Sequence, residues 1–200
     1  MTYKEIINRT GLDNTNVVCI YPYGSRVYGN FHKNSDYDFI IIVKSKRTEQ
    51  FSDNLININY YTVEEHQKRL DDHEISALEC YFLPEGLKIK DIPKFKFNLN
   101  LSSLRHSLSA KSSNSWVKCK KKLTIEKDFD LNIGRKSMFH SFRIIDFGIQ
   151  IARHGEIVNY SSCNDLYTEI MGYYEWSDLF DTFKIRYNAL LTEFRKLTEK

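Results

Sequence analysis

The segment of residues 21–43, YPYGSRVYGNFHKNSDYDFIIIV, constrains the fold of this chain more than any other. The β-rich run VVCIYPY ends at a Gly24–Ser25 turn, and Asp36 and Asp38 stand at the entrance to a second run, DFIIIV. This second run shows no alternation of apolar and polar residues, which is typical of a strand covered on both faces. The segment therefore predicts two strands, with a pair of carboxylates where the buried strand begins.

The two aspartates are separated by one residue, so in an extended chain their side chains leave the same face. Two carboxylates held together repel each other unless a cation lies between them. Divalent cations bridged by carboxylates and substrate phosphates would resolve this conflict, and Mg²⁺ or Mn²⁺ suits such ligands. We therefore predict that Asp36 and Asp38 are metal ligands and catalytic residues.

The turn upstream of the aspartates is suited to phosphate binding. Backbone N–H groups at Gly24 and Ser25 can hold a phosphate, because glycine permits close approach. The following SRVYG segment, which ends at Gly29, is predicted to form one helical turn behind this loop, with its N-terminus toward the phosphates.

The stretch GSRVYGNFHKNSDYDFIII resembles the signature of the DNA polymerase β-like nucleotidyltransferase superfamily. The pattern is Gly-Ser, a spacer of about ten residues, and Asp-x-Asp entering a strand, and Ser35 also matches it. HEISALECYFLP and KSMFHSFRIIDFGIQIARHG are similar to the branch associated with RNA ligases and RNA repair.

The resemblance implies a metal-dependent transfer of NMP from an NTP, ATP or CTP, to a hydroxyl, with release of pyrophosphate. It implies an RNA or tRNA 3′ end as the acceptor. It also implies a set of nucleotide-binding residues in the first motif: Gly24, Ser25, Arg26 and Ser35.

The superfamily usually carries a third carboxylate on the next strand, where this chain has NLININYY with Asn57 and Asn59. An amide oxygen can ligate Mg²⁺, but it cannot act as a general base. Three interpretations remain open: Glu79 or another acid supplies the base from a helix, the enzyme is slow, or the protein binds nucleotide without transferring it. Asn57 and Asn59 are the candidate third metal ligands.

In the helical half of the chain, Lys136, His140 and Arg143 fall within a sector of ~60° on one helix face. A cationic stripe of this kind suits a triphosphate, and the resemblance favours that role over an ordinary solvated face. Lys118 and Lys122 share a face of a second basic helix that also carries Trp116. These three residues are predicted to contact the acceptor or its phosphates, with the alternative of a basic surface helix and a half-buried Trp116.

The order of the predicted elements indicates an α+β fold with two lobes. Residues 1–92 are predicted to form a small mixed-sheet nucleotidyltransferase core, and residues 93–200 a helical lobe that completes the nucleotide and acceptor site. A net charge of +3 excludes a polycation, so any affinity for nucleic acid must be local. The chain has no apolar signal core and no run of the roughly 20 apolar residues that span a bilayer, so we expect no membrane partner and a cytoplasmic protein.

Two other functions compete with transfer to RNA. The acceptor can be a protein hydroxyl, as in small antitoxin-type members of the superfamily that AMPylate proteins. Alternatively, the protein is a non-catalytic nucleotide-binding module, which the asparagines at the third-ligand position favour.

Overall fold

The computed structural model describes residues 1–45, 50–92 and 95–199. The chain divides into two compact units, Met1–Asn98 and Leu99–Lys200. The predicted start of the second lobe, residue 93, lies outside the described residues.

The end of the first unit is held by aromatic contacts. The Phe95 ring lies 4.7 Å from that of His66, and the Phe97 ring lies 5.0 Å from that of His73. These contacts place Phe95 and Phe97 with the first unit.

The described residues of the first unit contain a mixed sheet of four strands: β1 (Val17–Tyr23), β2 (Tyr37–Val43), β3 (Gln50–Ser52) and β4 (Ile56–Thr62). The strand order is β1-β2-β4-β3. β2 is antiparallel to β1 and parallel to β4, and β3 is antiparallel to β4. This sheet confirms the predicted α+β class with a small mixed-sheet core.

Four helices accompany the sheet: α1 (Tyr3–Thr10), α2 (Ser25–Tyr28), α3 (Val63–Asp71) and α4 (Ile75–Tyr81). α3 starts directly after β4, where Thr62 and Glu65 form a capping box. This reciprocal pair of hydrogen bonds satisfies two of the donors left over at the helix start and fixes the point at which the strand becomes a helix.

The predicted burial of β2 is confirmed, and β4 shows an alternating pattern. Residues 39–43 of β2 are all buried, as expected for a strand covered on both faces. In β4, Ile56, Ile58 and Tyr60 are buried while the intervening residues are partly exposed. The alternation turns the asparagines of β4 toward the polar face of the sheet, and the apolar residues toward the core.

The second unit is helical throughout its described length apart from short connections. Its helices are α5 (Leu101–Thr124), α6 (Leu131–His154), α7 (Asn164–Ile170) and α8 (Trp176–Leu197). α6 ends at Gly155 in the left-handed conformation, with φ of 79°, which glycine adopts without steric cost. In the described part of the chain, no helix combines the length and the hydropathy needed to cross a bilayer.

Close packing in the second unit depends on a glycine inside α6. A Cβ atom at Gly148 would stand 2.7 Å from Cε2 of Phe194 and 3.0 Å from Cδ1 of Leu108. Both neighbours are fully buried, so neither side chain can move into open space. Gly148 therefore allows α5 and α8 to approach α6.

We expect Gly148→Ala to lower the free energy of unfolding of the second unit. Overpacking of a core costs about 1–3 kcal/mol, which exceeds the ~1 kcal/mol that alanine gains over glycine in a helix. Urea unfolding followed by tryptophan fluorescence measures this unit selectively, because Trp116 and Trp176, both in the second unit, are the two tryptophans of the chain. The matched control is Gly172→Ala at an exposed glycine, where the nearest atom is a carbonyl oxygen at 3.3 Å. Equal stability of the two variants would contradict the packing role of Gly148.

Candidate active site

The Gly24–Ser25 turn lies directly against the aspartates. Gly24 has φ of 78°, and a Cβ atom there would stand only 2.4 Å from Oδ2 of Asp38. Any other residue would therefore be strained and would collide with the carboxylate. Behind the turn, α2 is a single helical turn that ends at Gly29 in the left-handed conformation, as predicted.

Arg26 holds the loop that carries the aspartates. Its Nε donates to the backbone oxygen of Asp36 (3.1 Å), and its Nη2 donates to that of Ser35 (2.6 Å). The guanidinium carbon lies 3.7 Å from the centre of the Tyr37 ring and 5.0 Å from that of Phe31. The rigid fork and flat face of arginine suit this combination of contacts. Arg26 thus positions the aspartates, and its predicted nucleotide contact stays a prediction.

Ser35 closes a turn in the same loop. Its hydroxyl accepts a hydrogen bond from the backbone N–H of His32 (2.8 Å), and its own N–H donates to the His32 carbonyl (2.9 Å). This local role accounts for a small polar residue just before Asp36, and a contact of Ser35 with nucleotide also stays a prediction.

The carboxylates of Asp36 and Asp38 converge on one nitrogen atom. The side-chain nitrogen Nδ2 of Asn57 donates to Oδ2 of Asp36 and to Oδ1 of Asp38, the second at 3.3 Å. Parallel pairing of β2 with β4 places Asn57 directly opposite Asp38. The two aspartates therefore share one face, as their spacing predicted, and an amide donor stands between them.

The structure distinguishes the two asparagines that the sequence left as alternatives. Asn57 contacts both aspartates, whereas the side chain of Asn59 accepts a hydrogen bond from Nε2 of Gln50 (3.2 Å) two residue pairs further along β3 and β4. Asn57 is thus the asparagine that lies beside the aspartates, and its role as a third metal ligand stays a prediction.

Ser52 completes this polar group, and sequence reasoning missed it. Its hydroxyl donates to Oδ1 of Asn57 at 2.6 Å from the opposite position on β3. Because β3 has three residues, its pattern carries too little periodicity to reveal its partner or its register. Only the pairing in the sheet shows that Ser52 belongs to the site.

The residues fit a divalent cation of the kind that binds oxygen ligands. Two carboxylates already converge on an electropositive N–H group, and Gly24 keeps a side chain out of the space beside Asp38. Asp36 and Asp38 are the residues that would hold the ion, and Asn57 can add only its carbonyl oxygen. Among the described residues, no cluster of three or more His, Cys, Asp or Glu side chains suits a metal.

Glu79 lies in the interior on α4. Its side chain is 2% exposed, and Oε2 accepts a hydrogen bond from the hydroxyl of Tyr28 on α2 (2.6 Å). A carboxylate buried in this way links the two helices and has little access to an acceptor molecule. These contacts favour a structural role for Glu79 over that of a general base.

In the second unit, the predicted cationic stripe includes a histidine with an unusual pKa. Burial lowers the pKa of His140 well below its ordinary value, and the nearby charges of Arg143, Lys136 and Lys118 lower it further. His140 is therefore neutral at pH 7, and the positive charge of the predicted stripe comes from Lys136 and Arg143.

These cationic side chains differ in exposure. Lys118 and Lys136 are exposed, whereas Arg143 is buried and lies against the Phe147 ring, with 5.3 Å between its guanidinium carbon and the ring centre. The two lysines are therefore the more accessible partners for an anion.

The two remaining predicted acceptor residues make local contacts. Trp116 stacks on Tyr187 with 4.5 Å between ring centres, and it meets Trp176 edge to face at 5.8 Å. Lys122 forms an ion pair with Asp128 at 2.5 Å. One face of the indole ring is thus already covered, and the Lys122 charge is already paired. Contacts of these residues with an acceptor stay predictions.

We expect Arg26→Lys to loosen the aspartate loop while leaving the sheet intact. Lysine keeps the charge but lacks the fork that reaches two carbonyl oxygens, and it stacks less well on Tyr37. Hydrogen exchange measures the effect: amide protection of Ser35 should fall, while that of β1 should stay unchanged. Arg9→Lys, at a surface ion pair with Asp53, is the matched control. Unchanged exchange in the Arg26 variant would show that Arg26 does not hold the loop.

Comparisons with known proteins agree with this geometry at the level of the family. Residues 3–99 match the model of the nucleotidyltransferase domain family. No curated protein matches the chain.

Two solved structures are similar to the chain at low identity. One is spectinomycin adenyltransferase AAD(9) from Enterococcus faecialis with ATP and spectinomycin, with 13% identity, a TM-score of 0.47 and full coverage of both chains. The other is a nucleotidyltransferase-like protein from Exiguobacterium sibiricum, with 10% identity, a TM-score of 0.34, and coverage of 98% of this chain and 73% of the other.

The family match concerns nucleotidyltransferase domains in general and does not extend to the RNA-repair branch. It spans the sheet, the Gly24–Ser25 turn and both aspartates. The first unit of this chain thus carries the sequence signature of a nucleotidyltransferase domain, over residues 3–99.

Proposed function

We propose that this protein is a metal-dependent nucleotidyltransferase that transfers NMP from ATP or CTP to a hydroxyl and releases pyrophosphate. The observation that carries the proposal is the convergence of Asp36 and Asp38 beside the Gly24 turn, within a domain that matches the family. A pair of acids that share one face at a glycine turn is suited to a cation and a phosphate chain.

Each part of the site has a distinct task in this proposal. Asp36 and Asp38 would hold Mg²⁺ or Mn²⁺, and the ion would supply positive charge against the phosphates and would acidify a hydroxyl beside it. The turn at Gly24 and Ser25 admits the phosphate chain close to the backbone. Arg26 keeps the aspartates in place through two backbone carbonyls.

With Asn57, this site differs from a three-carboxylate site in how the attacking hydroxyl can lose its proton. An amide cannot take a proton from the attacking hydroxyl, so deprotonation depends on solvent or on the bound cation. Transfer should therefore speed up as pH rises. The same neutral residue is what favours the second candidate function, a nucleotide-binding protein that does not transfer.

The second unit is proposed to bind phosphate. Lys118 and Lys136 are exposed cations whose charges lower the pKa of His140, and the charge of Arg143 has the same effect. A polyanion such as a triphosphate matches this charge.

The acceptor that we propose is an RNA 3′ hydroxyl. Support for it comes from α5, which carries exposed lysines at 111, 118, 120 and 121 with no acid between them. Since Lys122 pairs with Asp128 and Trp116 stacks on Tyr187, these exposed lysines carry the proposal. Protein and small-molecule hydroxyls are the alternative acceptors.

We expect Asp38→Ala to abolish transfer while the protein stays folded. The test incubates the full chain with each α-labelled NTP, Mg²⁺ or Mn²⁺, and an RNA, a protein extract or a set of small hydroxyl compounds. The matched control is Asp72→Ala, which removes an exposed carboxylate paired with Lys68. Transfer to RNA would support the proposal in full. Transfer to a protein or a small molecule would change only the proposed acceptor. Binding of NTP without any transfer would favour the non-catalytic function. Retention of most activity by the Asp38 variant would remove this residue from the site.

We expect Asn57→Asp to bind Mg²⁺ more tightly and to transfer faster, because the ligand set gains a negative charge and a base. Asn59→Asp is the matched control, because it adds the same charge on the same strand face two residues further along. The Asn59 side chain is hydrogen-bonded to Gln50 and not to the aspartates. Calorimetry with Mg²⁺ and the pH profile of transfer both report the change, and the pH dependence should flatten in the Asn57 variant. An equal response of the two variants would mean that only general charge matters.

A further inference from the structure

Three polar side chains form a row across the sheet, one from each of three adjacent strands. Pairing places Asp38 of β2 opposite Asn57 of β4, and Asn57 opposite Ser52 of β3. Directly opposed residues share a face, so the carboxylate, the amide and the hydroxyl are neighbours. The hydrogen bonds of the row run in one direction, from Ser52 through Asn57 to the aspartates.

Both ends of the Asn57 side chain are held in this row. Its NH₂ group donates to Asp36 and Asp38, and its carbonyl oxygen accepts from the Ser52 hydroxyl at 2.6 Å. The reverse orientation would point the amide oxygen at Asp36 and Asp38, and the two carboxylates would repel it. The orientation of the amide thus follows from the charges around it.

This orientation is the wrong one for a cation. An amide nitrogen that carries two hydrogens offers no lone pair to a metal, whereas the carbonyl oxygen is a good ligand for Mg²⁺. The NH₂ group supplies the positive end of a dipole to one oxygen of each carboxylate, Oδ2 of Asp36 and Oδ1 of Asp38. A cation held between these two oxygen atoms would take the place of the NH₂ group.

We propose that the Asn57 amide reverses when a divalent cation binds, and that Ser52 is the positioning residue that supports both orientations. Without a cation, the Ser52 hydroxyl donates to the amide oxygen. With a cation, the amide oxygen turns to the ion, and the NH₂ group turns to the Ser52 oxygen, which accepts from it. A hydroxyl is suited to this exchange because it both donates and accepts.

The position of Ser52 agrees with this role. It is exposed at the edge strand, and the strand pairing holds its backbone opposite Asn57. Its hydroxyl can therefore rotate without disturbing the packed core. The next pair on the same face of the two strands, Gln50 and Asn59, has two amides in place of the hydroxyl and amide.

The inference rests on the proposed function for the identity of the ligand, a divalent cation, and its test does not depend on transfer. The full chain labelled with ¹⁵N is titrated with MgCl₂ in the absence of nucleotide, and the side-chain NH₂ signals are recorded by NMR. The Asn57 signal is assigned by its disappearance in Asn57→Asp, and the Asn59 signal, assigned in the same way, is the internal control.

We expect Mg²⁺ to shift the Asn57 NH₂ signal in a saturable manner and to leave the Asn59 signal in place. Asp38→Ala should abolish the shift. Ser52→Ala removes one hydrogen bond of the Asn57 amide in both orientations, so it should move the Asn57 NH₂ signal both with and without Mg²⁺ and change the Mg²⁺ affinity little. Ser52→Thr, which keeps the hydroxyl, should bind Mg²⁺ like the unchanged protein.

Two results would overturn the inference. One is saturable Mg²⁺ binding, measured by calorimetry, with an unchanged Asn57 signal. The other is an Asn57 NH₂ signal that is the same in the alanine and threonine variants, both with and without Mg²⁺. If the protein transfers NMP but the Asn57 NH₂ signal does not move with Mg²⁺, this inference is wrong and the proposed function stands. If Mg²⁺ moves the signal but no acceptor is modified, the proposed function is wrong and this inference stands.

Discussion

The site depends on the contact of one amide with two carboxylates. Asp36 and Asp38 bring like charges to one face, and repulsion between them would open the loop if nothing positive stood between them. The NH₂ group of Asn57 supplies that positive end through hydrogen bonds to both. Because the amide is polarised but uncharged, it balances the acids less strongly than a cation does. The paired acids are thus stabilised by an amide of the protein itself.

The surrounding scaffold keeps this contact in place by different means on its two sides. On one side, Gly24 leaves the space that Asp38 needs, and Arg26 binds the carbonyl oxygens of the aspartate loop. On the other side, the strand order places β4 between β2 and β3, so Asn57 faces a carboxylate in one direction and Ser52 in the other. The same asparagine on an edge strand would lack one of these partners.

The second unit shows how tertiary packing changes the meaning of a basic sequence. Lys136, His140 and Arg143 share a face by their spacing alone, which predicts a cationic stripe. Burial makes His140 neutral and encloses Arg143, so the accessible charge rests on Lys136 and Lys118. The lysine-rich context of Trp116 left two alternatives, stacking on a base or a half-buried place on a surface helix, and the structure stacks it on Tyr187. Helical periodicity identifies a face, but it does not reveal which other helix covers that face.

The sequence by itself determined the elements whose cause is local. The unbroken DFIIIV run, the alternation around Asn57, the turn at Gly24 and the shared face of the two aspartates all follow from side-chain period and backbone sterics over a few residues. Only the tertiary structure decided between Asn57 and Asn59, included Ser52, and buried Glu79 against Tyr28. The reason is physical: two asparagines on one strand face are equivalent until a register opposes one of them to a carboxylate, and register is a property of the assembled sheet.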